Sequence, residues 1–302
     1  MNTYKKGEHW CVTGASGLLG HAFAKVLIKR HIKTLALENM HFLDLKSEHL
    51  ISRKIDLLKI DDVKKIITEF TPSVIIHCAG LTNVDQCESN PQLAEQLNKA
   101  TAQSLSVLSK KIGCKFVYIS TDHLFDGTRS FYSETDLVCP LNVYGMTKHQ
   151  GESVTIENSP DALVIRTNFF GKGLSWRQSL TDWLWARYSR EEPIPAFLDS
   201  YFTPISMAYL VDIIIQLIDR GANGIFNVCG RERLSKNDFA LQFGEYFKFD
   251  LNLVQPIYLK QANLKAMRPL DMSLCTQKIS NYLGAEMPSV RQSFDALKEE
   301  YL

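Results

Sequence analysis

Short apolar runs and longer amphipathic stretches alternate through the first half of the chain. Residues 10–13, 34–37, 74–78, 116–120 and 163–166 are rich in β-branched or other apolar side chains and predict short strands. Between them, residues 18–30, 61–70, 91–112 and 147–158 read as helices. In the third of these, Leu93, Leu97, Ala100, Leu105 and Leu108 recur at close to the 3.6-residue helical period. Strands alternating with helices predict an α/β domain wound around a parallel sheet. After Arg166 the texture changes. Trp176, Trp183 and Trp185 fall close together, a proline-containing segment covers 191–204, a helix is expected over 206–220, and a turn at 221–224 leads to a strand at 225–228. The last seventy residues carry few strand-like runs, and no internal repeat is visible. They predict a smaller region that covers the substrate rather than an independent module.

Composition narrows this picture mainly by exclusion. The 302 residues are 45% hydrophobic and 22% charged, with 34 basic against 33 acidic side chains, so no global field draws the chain to nucleic acid or to a membrane. Its seven cysteines are odd in number and lack C-x-x-C spacing, which argues against a disulfide framework and against a zinc site. Residues 1–7 are polar and lead straight into the first strand, leaving no room for the apolar part of a signal peptide. No apolar run approaches the ~20 residues that span a bilayer. A soluble, cytoplasmic protein with a small-molecule ligand and no metal is expected; a homodimer stays open.

The first candidate chemistry lies where strand 10–13 runs into Gly14-Ala15-Ser16-Gly17-Leu18-Leu19-Gly20 and then into a helix. In a dinucleotide site the first glycine allows the tight turn, the second lets backbone N–H groups approach a pyrophosphate, and the third lets helix and strand pack closely. The helix N-terminus adds unsatisfied donors. Ser16, Leu18 and Leu19, lying between the glycines, belong to the same cofactor contact. The spacing is G-x-x-G-x-x-G, moderately specific in isolation, and Glu38 strengthens it. Eighteen positions beyond Gly20, just after the second strand, a carboxylate would accept from the adenosine ribose hydroxyls and disfavour a 2′-phosphate. The cofactor expected is NAD or NADP, with a lean to NAD; a solvated surface charge is the other reading of Glu38. Asp56, with Leu57 beside it after a third strand, is placed to meet the adenine amino group or to cap a helix.

Tyr144 and Lys148 stand four residues apart, so on a helix both side chains leave one face. A phenol near pKa 10 is a poor acid or base at neutrality; an adjacent ammonium together with an oxidised nicotinamide would favour phenolate and lower that value. Y-x-x-x-K is common, and the decisive addition is Thr121 at the end of the predicted strand 116–120, where ligands of parallel sheets bind. Its hydroxyl can meet the same carbonyl oxygen as Tyr144. The three tryptophans suit stacking on a nucleotide base, although aromatics spaced along a helix more often serve a core or an interface.

These residues resemble the extended short-chain dehydrogenase/reductase family, and within it the dTDP-4-dehydrorhamnose reductase branch. The likeness is carried by 13–20, by 77–85 (HCAGLTNVD), by 120–127 (STDHLFDG), by 140–148 (PLNVYGMTK), by 166–169 (RTNF) and by 268–274 (RPLDMSL), in order along nearly the whole chain. The resemblance implies a Rossmann-type doubly wound parallel sheet with a smaller C-terminal α/β substrate-binding domain. Residues 1–167 would bind NAD(P), with 206–230 returning to that domain, and 168–205 with 231–302 would bind substrate. It implies reduction of the 4-keto group of a nucleotide-activated 6-deoxyhexose: Tyr144 gives the proton, Thr121 hydrogen-bonds the same oxygen, and Lys148 holds the nicotinamide ribose. Cys78, Ala79 and Gly80 would border the cofactor. Thr82, Asp122, His123, Asn168, Phe169 and Arg268 would face the substrate, Arg268 gripping its diphosphate unless it serves a structural ion pair. Asn98 reads equally as an ordinary polar helix residue or as structural support near the site.

Two departures bear on the substrate. The family commonly has tryptophan where Phe169 stands and tyrosine where His123 follows Asp122; His123 reads as a packing or substrate-orienting residue, not a proton donor. Two alternatives remain in view. One is another nucleotide-sugar reaction of the extended family, such as 4-epimerisation. The other is a non-catalytic binding protein resembling the regulatory subunit of methionine adenosyltransferase, against which the intact Thr121, Tyr144 and Lys148 argue.

Overall fold

Strands form here where apolar side chains fall on both faces at once. In β1 (His9–Thr13), Trp10 and Val12 enter one hydrophobic core and Cys11 the other, the double burial typical of a parallel sheet covered on both sides. The computed structural model describes residues 8–302; the polar stretch 1–7, and with it the expectation about a signal peptide, lies outside them.

The chain continues as α1 (Leu18–Lys29), β2 (Lys33–Glu38), β3 (Leu50–Lys54), α2 (Ile60–Phe70) and β4 (Val74–His77). Next come α3 (Val84–Ser89), α4 (Pro91–Glu95), a π-helical turn (Gln96–Ala100), α5 (Thr101–Ile112), β5 (Lys115–Ile119), α6 (Val143–Asn158) and β6 (Leu163–Arg166). The C-terminal part adds β7 (Phe169–Phe170), α7 (Leu180–Ser189), β8 (Ile194–Phe197), β9 (Tyr201–Phe202), β10 (Ile205–Ser206), α8 (Met207–Asp219), β11 (Gly224–Asn227), β12 (Leu234–Ser235), α9 (Lys236–Phe247) and β13 (Val254–Ile257). Seven strands make one parallel sheet in the order β3-β2-β1-β4-β5-β6-β11. This is the expected Rossmann-type doubly wound fold. β11 pairs with β6, and Leu210, Ile214 and Leu217 of α8 join the same core as Leu19, Phe23 and Leu27 of α1. A separate core, rich in aromatics, gathers Phe170, Tyr188, Phe202, Phe239, Phe243 and Phe294, with Trp183 and Trp185 packed against it.

Two local expectations are corrected. α6 starts at Val143, four residues earlier than the apolar pattern suggests, because the Asn142 side chain caps it by accepting from the Gly145 N–H at 2.8 Å. Tyr144 and Lys148 therefore share that helix. Trp176 is not on a helix with Trp183 and Trp185: α7 begins only at Leu180, behind the capping box of Ser179 and Asp182.

α6 is fixed to the sheet by a buried ion pair. The Arg166 guanidinium donates from Nε to Glu152 Oε1 at 3.0 Å and from Nη2 to Oε2 at 2.8 Å, with both side chains 2% exposed. Removing one partner strands the other's charge, so Arg166→Met is expected to lose about 3–5 kcal/mol of stability, whereas Glu152→Leu/Arg166→Met together recover most of it. Urea denaturation of the three proteins checks this; equal losses in single and double variants would show that packing, not charge, dominates.

Candidate active site

The glycine-rich turn is built as its sequence requires. Gly14 takes φ +66°, and a Cβ there would stand 2.7 Å from the Ala79 nitrogen; at Gly20 it would stand 2.2 Å from the Gly14 carbonyl. The Gly17 N–H donates back to the Gly14 carbonyl at 2.9 Å. Gly17 caps α1 without a side-chain acceptor, and no acidic residue occupies the first turn. Ser16, Leu18 and Leu19 thus sit at a helix N-terminus that favours an anion.

Around this turn the strand ends bring the other predicted residues together. Glu38 ends β2, buried, and its Oε2 accepts from the Leu43 N–H at 2.5 Å, so part of the carboxylate is spent on shaping the following loop. Asp56 follows β3 and accepts from the Leu58 N–H at 3.0 Å, a turn contact ahead of α2, which starts behind Lys59 with no side-chain cap, while Leu57 packs on the sheet's core. Cys78, Ala79 and Gly80 leave the end of β4, with the Cys78 N–H on the Thr13 carbonyl at 3.3 Å. Burial raises the Cys78 thiol, so it stays neutral.

Asn98 ties these parts together from the π-helical turn. Its side chain accepts from the Leu81 N–H at 2.8 Å and donates to the Leu81 carbonyl at 3.1 Å and to the Thr147 hydroxyl at 3.0 Å. Its own carbonyl accepts from the Tyr118 hydroxyl at 3.0 Å. The support reading of Asn98 is the one this geometry favours.

Thr121, Asp122 and His123 follow β5, and α6 lies so close that a Cβ on Gly145 would stand 2.1 Å from the His123 carbonyl. The Thr121 hydroxyl accepts from the His123 N–H at 3.2 Å and lies near enough to the Tyr144 phenol to oppose the upward shift of its pKa. The His123 ring stands edge-on to Tyr144 with centroids 5.5 Å apart; its Nδ1 is buried without a partner, and burial drives its pKa down to about 3. A neutral imidazole suits orientation, not proton transfer. Asn168 donates to Asp122 Oδ2 at 2.5 Å, and burial still pushes Asp122 up to about 6. Phe169 is half-buried beside Asn168.

Lys148 departs from the sequence expectation. Its ammonium donates to the Ile119 carbonyl at 2.6 Å and lies 4.2 Å above the Tyr118 ring. Burial, opposed by Glu152, lowers it to about 8. Tyr144 is raised by its own burial, with the nearby Thr121 hydroxyl pulling the other way. In the protein alone the phenol is therefore kept protonated rather than drawn toward phenolate.

Three residues lie apart from this cluster's centre or were absent from the sequence reading. Arg268 donates from Nη2 to Asp85 at 3.0 Å and from Nη1 to the Ala266 carbonyl at 2.9 Å, the structural ion pair named as its alternative. Thr82 is exposed and accepts from Arg177 at 2.7 Å. Lys236, at the start of α9, was missed: its ammonium stands over the Phe202 ring and is lowered to about 8 by burial, with Asp122 opposing. No motif marks it, because only the folding of α9 onto β9 brings it near Asp122. Among the described residues no His, Cys, Asp and Glu cluster could hold a metal, and no described helix is long and apolar enough to cross a membrane.

Comparison with known proteins agrees with this geometry. A family model described as the RmlD substrate binding domain matches residues 9–302. The probable low-salt glycan biosynthesis reductase Agl14 of Haloferax volcanii is 26% identical, over 96% of this chain and 97% of that protein. The methionine adenosyltransferase 2 subunit beta of Mus musculus is 29% identical, over 92% and 83%. The crystal structure of dTDP-4-dehydrorhamnose reductase from Bacillus anthracis in complex with NADP superposes with a TM-score of 0.84 at 27% identity, covering 98% of this chain and all of that one.

The Lys148 charge costs stability because it is buried, so Lys148→Met is expected to be about 1–3 kcal/mol more stable near neutral pH. Folded Lys148 gives up its proton near 8 and an unfolded lysine near 10.5. Between these values the unfolded chain binds the extra proton, and wild-type stability gains on the variant as pH rises. Urea denaturation of both proteins from about pH 7 to about pH 10 reads this; a pH-independent gap would assign the difference to packing.

Proposed function

The chain belongs to the RmlD substrate binding domain family, and from that membership we propose that it is an NAD(P)-dependent oxidoreductase that reduces the 4-keto group of a nucleotide-activated 6-deoxyhexose. The observation that carries this reading is the convergence of Thr121, at the end of β5, with Tyr144 and, one turn along α6, Lys148, beside the glycine turn. Relatives bearing the names dTDP-4-dehydrorhamnose reductase and glycan biosynthesis reductase support the same chemistry. Residues 1–167 with 206–230 would form the cofactor-binding part, and 168–205 with 231–302 the substrate-binding part. The reaction would take place in the cytoplasm.

The site fits a dinucleotide: the turn leaves no room for side chains at Gly14 and Gly20, and the α1 terminus is free of competing carboxylates. A reduced nicotinamide bound there supplies hydride. Gly14, Ser16, Gly17, Leu18, Leu19 and Gly20 would hold its diphosphate, with Glu38, Asp56 and Leu57 on the adenosine side and Cys78, Ala79 and Gly80 along the β4 end. Both NADP and NAD occur in structural neighbours, and the Glu38 carboxylate supports the lean to NAD. Tyr144, protonated because it is buried, would give its proton to the substrate oxygen while Thr121 hydrogen-bonds that oxygen. Lys148, held on the Ile119 carbonyl, would contact the nicotinamide ribose and balance the phenolate that remains. Thr82, Asp122, His123, Asn168, Phe169 and Arg268 would frame the sugar nucleotide.

The 29% identity to a methionine adenosyltransferase subunit keeps a regulatory binding role as the second reading. Purified protein mixed with a panel of 4-keto nucleotide sugars and NADH or NADPH separates the readings. A reductase consumes the reduced cofactor in proportion to product, an epimerase shows no net consumption, and a regulatory subunit shows no turnover. Tyr144→Phe is expected to cut turnover by about 10²–10⁴-fold with cofactor affinity kept; unchanged turnover would overturn the assignment of Tyr144.

A further inference from the structure

The winding of the large sheet reverses between β1 and β4: β2 and β3 lie outward from β1, and β5, β6 and β11 outward from β4. The crevice above that reversal is where a doubly wound sheet takes its ligand. Its two lips are the glycine turn after β1, which contains Ser16, and the segment after β4, which contains Thr82. A hairpin from the C-terminal part reaches across both. Its base is clipped to α7, since the Gly173 and Ser179 N–H groups both donate to Asp182 Oδ2 at 2.8 Å. Leu174 and Arg177 close it with two backbone hydrogen bonds of 2.9 Å. From its tip, the Trp176 indole N–H donates to the Ser16 carbonyl at 3.0 Å, and the ring stacks on His41, beyond β2, at 5.4 Å and 12°. The next residue, Arg177, donates from Nη2 to the Thr82 hydroxyl at 2.7 Å.

We propose that this hairpin completes the dinucleotide site, with Arg177 binding the cofactor's diphosphate from the side opposite the glycine turn and Trp176 walling its adenosine side. The inference rests on the dinucleotide reading of Gly14, Gly17 and Gly20. Arg177 is exposed, makes no ion pair among the described residues, lies within electrostatic reach of the Tyr144 phenol, and its side chain hydrogen-bonds a neutral hydroxyl, a partner that a phosphate oxygen displaces readily because its hydrogen bond is charge-assisted. Its position is not that of a free surface arginine. Trp176 is anchored on the phosphate turn itself and Arg177 on Thr82, so the guanidinium is held at the crevice mouth facing the glycine turn from the β4 side. An anion on the donors of α1 is then held from two sides. The same anchoring separates Trp176 from Trp183 and Trp185, which serve the aromatic core.

Titration calorimetry with NADPH, NADH and dTDP on wild type, Arg177→Gln and Trp176→Phe tests this. Arg177→Gln is expected to weaken both dinucleotides about 10–100-fold, the range of a charge-assisted hydrogen bond, with unchanged dTDP affinity and unchanged melting temperature. Trp176→Phe, which keeps the stack and loses the Ser16 hydrogen bond, is expected to weaken them about 3–10-fold. Dinucleotide binding by Arg177→Gln equal to wild type overturns the proposal, and so does a loss confined to dTDP, which would place Arg177 on the sugar nucleotide. A wild type that binds neither dinucleotide overturns the cofactor reading of the glycine turn and the hairpin's role with it.

Discussion

Glu152 and Arg166 meet where neither has access to water, and the position of α6 depends on that meeting. Three hydrogen bonds join the guanidinium to the carboxylate, and Arg166 also donates to the Glu134 carbonyl at 3.4 Å. A buried pair of this kind does not by itself raise stability, because desolvating two charges offsets most of their attraction. What it does here is choose a register. Glu152 lies two turns after Tyr144 and one after Lys148 on the same helix, and Arg166 ends the strand beside β5. A one-residue rotation of α6 would leave both charges unpaired, so the penalty for error fixes the face that carries Tyr144 and Lys148. Gly145, against the His123 carbonyl, allows that helix to lie close against the segment that carries Thr121 and His123.

The electrostatics of the site follow from the same dryness. Lys148, Lys236, Asp122, His123 and Tyr144 all have pKa values moved toward their neutral forms, in each case chiefly by burial. A pocket that disfavours charge keeps the phenol as an acid until charge appears on a bound substrate, and an oxyanion formed there has few competing solvent dipoles. The sequence reading had Lys148, together with an oxidised nicotinamide, lowering Tyr144. In the folded chain the ammonium is engaged by the Ile119 carbonyl and the Tyr118 face, so its influence on the phenol must await a ligand that bridges them.

Local sequence carried the features that local geometry decides. The glycine turn, the five strand runs and the i, i+4 pairing of Tyr144 with Lys148 needed only short-range patterns, and each strand lies within a residue or two of its apolar run. The start of α6 was misjudged because Val143 to Met146 lack a repeating apolar face, while the Asn142 cap that starts the helix leaves a one-residue signal. The helix spacing assumed for Trp176 failed because the capping box of α7 begins three residues later. Contacts across long stretches were out of reach for a different reason. Arg268 and Asp85 are 183 positions apart, and Trp176 and Ser16 are 160 apart; no period or propensity encodes which distant loop arrives at a strand end.

This division between near and far has a functional side. The groups that would perform proton transfer come from β5, α6 and the turn after β1, all within one parallel sheet and rigidly set by its packing. The groups that would recognise a substrate come from the β6–β7 segment, the start of α9 and the loop at Arg268. Asn168 is the point where the two sets touch: it belongs to the second and, by donating to Asp122, holds the residue next to Thr121. The Asp122 carboxyl also feels Lys236 from α9. A change of substrate-side loops can therefore reach the proton-transfer residues through one buried carboxyl, which makes Asp122 the position where specificity and chemistry are coupled.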